Sequence, residues 1–333
     1  MTKKILLVGG AGYVGAVVSS HFLKKGYKVT VLDNFIYDHQ FSVLSFAGDP
    51  DYKFIKGDMN HNADLEKTLQ EGVTDVVLLA GLVGDPVTKK YPVEAETNNI
   101  TGIRNCMNFY TNKGIDKLIF ISTCSNYGLI KENELADEGF ALNPLSLYAK
   151  AKVANEAYLM EKRGKVDYTG VVLRFSTAFG LSPRMRFDLS LSEFVKDIFL
   201  GKELLVYDEH TWRPYCHVRD FARLLEIVLE ADNSTVSFEV FNAGGDQNNY
   251  TKKMIVDEIL KMIPDGKVAY GIGGSDPRNY RVSFSKLKSR LGFEPQFSIP
   301  FGVAELVEAL SNGLYADSED NKNKYGNYVI HHV

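Results

Sequence analysis

Short apolar runs alternate with amphipathic stretches through the first half of the chain. Ile5–Val8, Lys28–Leu32, Phe54–Lys56, Val76–Leu79 and Lys117–Ile121 read as strands buried on both faces, the pattern of a parallel sheet. Between them, Val14–Lys25, Asn62–Glu71 and Asn98–Lys113 carry helical spacing, and a helix over Ser146–Arg163 precedes a further strand at Val166–Leu173. This alternation predicts an α/β fold, a Rossmann-type doubly wound parallel sheet. Beyond about Gly180 it loosens. Helical patterns at Leu189–Leu200, Val218–Glu230, Thr251–Met262 and Pro300–Leu310 are separated by loops rich in Gly, Pro, Asn and Asp, which predicts a smaller mixed α/β domain. Phe238–Asn242 reads as a strand returning to the main sheet. The expected division is a nucleotide-binding domain over 1–180, a substrate domain over 181–315 and a polar tail over 316–333, with the charged stretch Asp317–Lys324 expected to be mobile.

A length of 333 residues suits two such units. The formal net charge of -4 gives no general attraction to nucleic acid or an anionic membrane, so an anionic substrate would need a local cluster of arginines. No stretch approaches the roughly 20 apolar residues of a membrane span, and Ile5–Val8 is too short to act as a signal peptide. Cys106, Cys124 and Cys216 are far apart and odd in number. They fit neither a zinc site nor a disulfide framework, so free thiols, a cytoplasmic location and no metal are expected.

The first strand runs into Gly9-Gly10-Ala11-Gly12-Tyr13-Val14-Gly15 and then into a helix. Strand, glycine-rich turn and helix form the context in which such a motif binds a dinucleotide. Gly9 permits the turn, Gly12 admits a pyrophosphate and Gly15 lets helix and strand pack closely. Asp33 ends the second strand, placed to accept hydrogen bonds from the adenosine ribose. Asn34, Phe35 and Ile36 offer no cation for a 2′-phosphate, so NAD is expected rather than NADP. Asp58 and Met59 follow the third strand at the adenine end. Leu79, Ala80 and Gly81 close the fourth with small residues beside the cofactor, although small residues also end many buried strands.

Tyr148 and Lys152 stand at i and i+4, one helical turn apart on one face. A surface lysine beside a half-buried tyrosine has the same spacing. Downstream of a dinucleotide fingerprint, the pair suits proton abstraction from an alcohol, because a nearby ammonium favours the phenolate. Thr123, at the end of the fifth strand in Thr123-Cys124-Ser125-Asn126-Tyr127-Gly128, could hydrogen-bond the reacting oxygen, or simply cap a turn.

Together these motifs resemble the NAD-dependent epimerase/dehydratase family of extended short-chain dehydrogenases/reductases, from Lys3 to about Leu310. The resemblance implies that Thr123, Tyr148 and Lys152 are a catalytic triad, and that Asn99 lies near the cofactor with Tyr13 and Val14. It implies a nucleoside-diphosphate sugar as substrate, and a homodimer formed through Asn98–Lys113 and Ser146–Arg163. Family dehydratases carry Asp-Glu after the threonine; here Cys124 and Ser125 stand there. Dehydration is therefore disfavoured, and oxidation of a ring hydroxyl, usually at C4, remains. Cys124 is expected to be a packing residue rather than a thiolate, and Ser125 a substrate contact.

A diphosphate suits guanidinium forks. The candidates are Arg184, Arg186, Arg213 and Arg278, the last two matching arginines with which the family grips the diphosphate. Ser182–Leu189 and the Thr-x-Ser-x-Tyr-Gly stretch resemble GDP-heptose C4 dehydrogenases of capsule pathways, which implies a role in surface-glycan biosynthesis. His217 reads as a structural hydrogen-bonding residue. The expected enzyme is a nucleotide-sugar 4-epimerase or C4 dehydrogenase. The rivals are a 4-keto-sugar reductase, which the same residues would serve in reverse, and a non-catalytic NAD-binding module.

Overall fold

The computed structural model describes residues 2–131, 133–274 and 276–331. The apolar runs of the first half become β1 (Lys4–Val8), β2 (Lys28–Asp33), β3 (Tyr52–Lys56), β4 (Asp75–Leu78), β5 (Lys117–Thr123) and β6 (Thr169–Phe175). The second half adds β7 (Thr177–Phe179), β8 (Leu204–Tyr207), β9 (Trp212–His217), β10 (Glu239–Ala243), β11 (Asn249–Thr251) and β12 (Val268–Gly271). Seven strands form one sheet in the order β10-β6-β5-β4-β1-β2-β3, every neighbouring pair parallel. The order reverses between β1 and β4. A doubly wound sheet opens a crevice at such a point, outside the carboxyl ends of the strands.

All residues of β4, β5 and β6 are buried, which is why their centres, Val76–Leu78, Leu118–Ile121 and Val171–Leu173, read as apolar runs. Alternate residues serve opposite faces. Leu7, Val31, Ile119 and Val171 pack against helices Tyr13–Lys24 and Val218–Glu230 through Val18, Phe22, Phe221 and Leu225. Leu6, Leu32, Leu118 and Phe120 pack on the other face against Leu65, Ile103, Met107 and Leu159. Helices Ser190–Phe199, Lys252–Met262 and Ile299–Ser311 build a second core from Val195, Ile255, Ile259 and Val303, joined by Tyr13, Val17 and Phe187. No helix among the described residues is long and apolar enough to cross a membrane.

Two local expectations are corrected. The helix expected over Asn98–Lys113 opens as a π-turn, Thr97–Gly102, and only Ile103–Phe109 is α-helical. Asn155 donates to the Asn99 carbonyl oxygen at 2.6 Å, diverting a backbone acceptor where the turn widens. The polar tail is not loose either. Asp317 accepts hydrogen bonds from Tyr325 at 2.6 Å and Lys324 at 2.8 Å. The Tyr325 ring enters the second core, and Ile330 packs with Tyr37, Leu82 and Val87. Asp317 pairs within the tail, Glu319 reaches back to Lys196 at 2.7 Å, and isolated apolar anchors bury.

Candidate functional site

A cleft of about 500 Å³ lies over the carboxyl ends of the strands. Gly9 has φ +81°, and a Cβ there would stand 2.6 Å from the Ala80 Cα, so the tips of β1 and β4 meet only across a glycine. At Gly12 a Cβ would meet just the Gly9 carbonyl oxygen, at 3.4 Å, leaving space on the cleft side. At Gly15 it would stand 2.5 Å from the Gly10 carbonyl oxygen. The helix that follows has neither a side-chain N-cap nor an acidic residue in its first turn, so its leading N–H groups remain available to an anion.

Asp33 accepts from Ala11 N at 3.1 Å and Phe35 N at 2.9 Å, with His39 at 3.4 Å. Burial works to raise its pKa, but His39 and the two backbone donors outweigh it and hold the carboxyl below its ordinary value. Asp58 accepts from Asn34 at 3.2 Å and from Asn60. Asn34, Asp58, Met59, Leu79, Ala80 and Gly81 line the cleft along with Tyr13 and Val14. Asn99 does not. It clamps the backbone of Leu82, accepting from its N–H at 2.7 Å and donating to its carbonyl at 2.9 Å, and so shapes the wall from behind. An open phosphate approach, an uncapped helix and a carboxylate at the tip of β2 fit a dinucleotide.

Thr123, Tyr148 and Lys152 come together on the same cleft. Thr123 Oγ1 accepts from Ser125 N at 3.1 Å, capping the turn that follows β5. Ser146 caps helix Leu147–Met160, accepting from Ala149 N at 3.2 Å, and that helix carries Tyr148 and Lys152. The buried Lys152 ammonium donates to the Ile121 carbonyl oxygen at 2.6 Å and lies 5.7 Å from the centre of the Tyr148 ring. Burial lowers Lys152 to about 7, with the carboxylate of Glu156 pulling the other way. Burial raises the Tyr148 phenol, opposed by Arg186 and Arg278. Cys124 faces away from the cleft, its thiol 3.1 Å from the Arg174 carbonyl oxygen, and burial pushes it up to about 12. It is a packing thiol.

Asp276 joins Arg213 and Arg278. It accepts from Arg213 at 2.9 Å and from Arg278 at 2.7 and 2.8 Å. Despite burial, the two guanidinium ions hold its carboxyl far below the ordinary range. Arg278 also approaches Asp85 at 3.4 Å and donates to Ser125 Oγ at 3.3 Å. Arg184 and Arg186, expected to work with this pair, have other partners. Arg186 is forked onto Asp188, and Arg184 donates to the Gly326 carbonyl oxygen at 3.0 Å beside the Tyr37 ring. His217 is structural: Nε2 lies 2.6 Å from Glu305, and Nδ1 accepts from Arg219 N to cap helix Val218–Glu230. Asp276 and Asp188 went unassigned from the sequence, although each stands two positions from an arginine it binds. No signal along the chain points to Tyr37 or the tail.

Residues 5–244 match the NAD dependent epimerase/dehydratase family. The chain is 26% identical over 318 residues to a UDP-glucose 4-epimerase of Lactobacillus helveticus, covering 88% of this chain and 92% of that one. It superposes with a TM-score of 0.82 and 25% identity on the crystal structure of UDP-glucuronic acid 4-epimerase from Bacillus cereus in complex with UDP-glucuronic acid and NAD, covering 93% and 99% of the two chains. A dTDP-glucose 4,6-dehydratase from Bacillus anthracis, crystallised with NAD, shares the fold at a TM-score of 0.83 and 24% identity, covering 96% and 98%. The chain therefore belongs to the NAD-dependent epimerase/dehydratase family and is an NAD-dependent enzyme.

Proposed function

We propose that the enzyme oxidises a nucleoside-diphosphate sugar at a ring hydroxyl, C4, as a nucleotide-sugar 4-epimerase or C4 dehydrogenase of surface-glycan biosynthesis. One observation carries this reading. Thr123, Tyr148 and Lys152 share a cleft lined also by Gly12 at the uncapped helix start and by Arg213 and Arg278 on Asp276. The two guanidinium ions would take the substrate diphosphate, and Ser125 and Tyr280 beside them would meet the sugar. Tyr148 accepts the hydroxyl proton, Thr123 hydrogen-bonds the same oxygen, and the Lys152 ammonium favours the phenolate. NAD held against Gly12 and Asp33 would supply the hydride acceptor.

Cys124 and Ser125 supply no acid–base pair for removing water from the sugar, because the thiol is buried, protonated and turned from the cleft. The resemblance of Ser182–Leu189 to GDP-heptose C4 dehydrogenases favours net oxidation; the epimerase reading requires the ketone to turn over in place. A panel of GDP-, UDP-, dTDP- and CDP-sugars, followed by reduced-nicotinamide absorbance together with product identity, separates them. Lasting NADH with a keto-sugar establishes the dehydrogenase. A changed sugar without lasting NADH establishes the epimerase. Tyr148→Phe should abolish turnover in either case while NAD still binds; unchanged turnover overturns the mechanism.

A further inference from the structure

We propose that Arg184 is a ligand of the cofactor's pyrophosphate rather than of the substrate's diphosphate, and that the C-terminal segment from Tyr325 to Ile330 positions it. The proposal rests on NAD occupying the cleft as described above.

The placement is fixed by covalent neighbours. Tyr13, the first residue of the helix after the glycine-rich turn, donates its hydroxyl to the Gly180 carbonyl oxygen at 2.6 Å, and Ser182 Oγ donates to the Tyr13 carbonyl oxygen at 2.7 Å. The chain is thus tied to the N-terminus of that helix just before Arg184, which lines the cleft. Arg184 is only 2% exposed. Among the described residues it has no carboxylate within ion-pair distance, whereas Arg186 is matched by Asp188. Its Nε is buried without a hydrogen-bond partner. A guanidinium in that position is poorly compensated until an anion joins it. The adjacent helix end, uncapped and free of acidic residues, points to the same anion. A planar fork lying over the Tyr37 ring, its central carbon 5.3 Å from the ring centre, suits a phosphate.

The tail makes the arrangement. Gly326 accepts from Arg184 Nη2. Asn327 donates to the Val83 carbonyl oxygen at 3.3 Å, and its N–H meets Asp188 at 3.3 Å. Ile330 packs between Tyr37 and Leu82, and His331 N donates to the Ile36 carbonyl oxygen at 2.8 Å. The segment therefore joins the loop after β2 to the loop after β4, the two walls between which a dinucleotide would lie.

The test uses the 333-residue protein freed of nucleotide. NADH binding is read by fluorescence, and UDP and GDP binding by calorimetry at saturating NAD. Arg184→Gln should weaken NADH and ADP-ribose at least tenfold and leave adenosine, UDP and GDP unchanged. Arg213→Gln should do the reverse, so a failure of the nucleotide-sugar reading shows in that variant alone. Asn327→Ala combined with Ile330→Ala, which leaves Gly326 and the chain length intact, should release NADH several-fold faster, and a release rate equal to the wild type's overturns the role of the tail. If Arg184→Gln does not fold, Arg184→Lys keeps the charge but loses the fork, and a loss of NADH affinity confined to the cofactor is expected there. Unchanged NADH affinity in the folded Arg184 variant, an equal loss of adenosine, or a loss of UDP and GDP instead overturns the proposal.

Discussion

Arg174 and Glu156 form a buried ion pair one helical turn beyond Lys152, with Nη2 to Oε2 at 2.7 Å and Nε 3.1 Å from both carboxylate oxygens. Ser122 and Asn126 also donate to Glu156, and Arg174 donates to the Tyr127 hydroxyl at 2.9 Å. The pair ties β5, β6 and helix Leu147–Met160 together beside Thr123 and Lys152. Removing one partner strands the other in a medium of low polarity. Glu156→Gln should therefore lose about 3–5 kcal/mol of stability, measured by urea unfolding. Glu156→Gln combined with Arg174→Met should recover much of that loss. A single variant as stable as the wild type would show the pair to be structurally idle.

Lys152 makes the cofactor-free protein sensitive to pH. Burial lowers it from 10.5 to about 7, so between those values the unfolded chain holds a proton that the folded chain has released. Stability from this group therefore grows as pH rises through that window, by up to about 1.4 kcal/mol per pH unit, and is lost on going down to pH 7. Lys152→Met removes the slope. Its stability relative to the wild type should improve by a few kcal/mol between pH 10 and pH 7, read from denaturant midpoints at each pH. A difference independent of pH would mean that the lysine keeps an ordinary pKa.

Gly12 and Gly15 should respond differently to the same methyl group. Gly12→Ala meets only one atom, at 3.4 Å, so the fold should persist with an unchanged melting temperature. The new Cβ would occupy the phosphate approach and weaken NAD binding by at least about 1.4 kcal/mol, tenfold. Gly15→Ala drives its Cβ to 2.5 Å from a backbone oxygen, and should cost about 1–3 kcal/mol of stability, although alanine is otherwise the better helix former. Calorimetric melts and NADH titration of both variants check this; equal melting temperatures would refute the packing role of Gly15.

Asp276→Asn leaves Arg213 and Arg278 beside each other without their shared counter-charge. Both should lose orientation, raising KM for the nucleotide sugar roughly tenfold, about 1.4 kcal/mol, with a smaller change in kcat and none in NAD affinity. A fall confined to kcat would move Asp276 from orienting the arginines to the chemical step.

The parallel sheet was legible because strands buried on both faces leave unbroken apolar runs, and the cofactor turn because glycine spacing there is set by close approaches. Tyr148 and Lys152 were legible as a pair because a helix turns on a fixed period. The short strands β7, β8, β9, β11 and β12 were not, since each is three to six residues long and most are only partly buried. The separation of Arg184 and Arg186 from Arg213 and Arg278 was also hidden. It depends on a carboxylate across more than 60 residues for Arg213, and on Gly326 for Arg184, 142 positions away. The π-turn at Thr97–Gly102 escaped because Asn155, which donates to the Asn99 carbonyl oxygen within it, lies on another helix.

The edge strand β10 has its own consequence for biosynthesis. It pairs with β6, Phe241 beside Leu173, yet leaves the ribosome only after the whole excursion through β7, β8, β9 and helix Val218–Glu230. The flank of β6 that β10 will cover stays bare throughout that interval, as does the face of Val18 and Phe22 on which Phe221 and Leu225 settle. A gene cut after residue 180 makes this transient state permanent: the product would present the unpaired β6 edge, with Val171, Val172 and Leu173 at its centre, to its neighbours, and should associate through it.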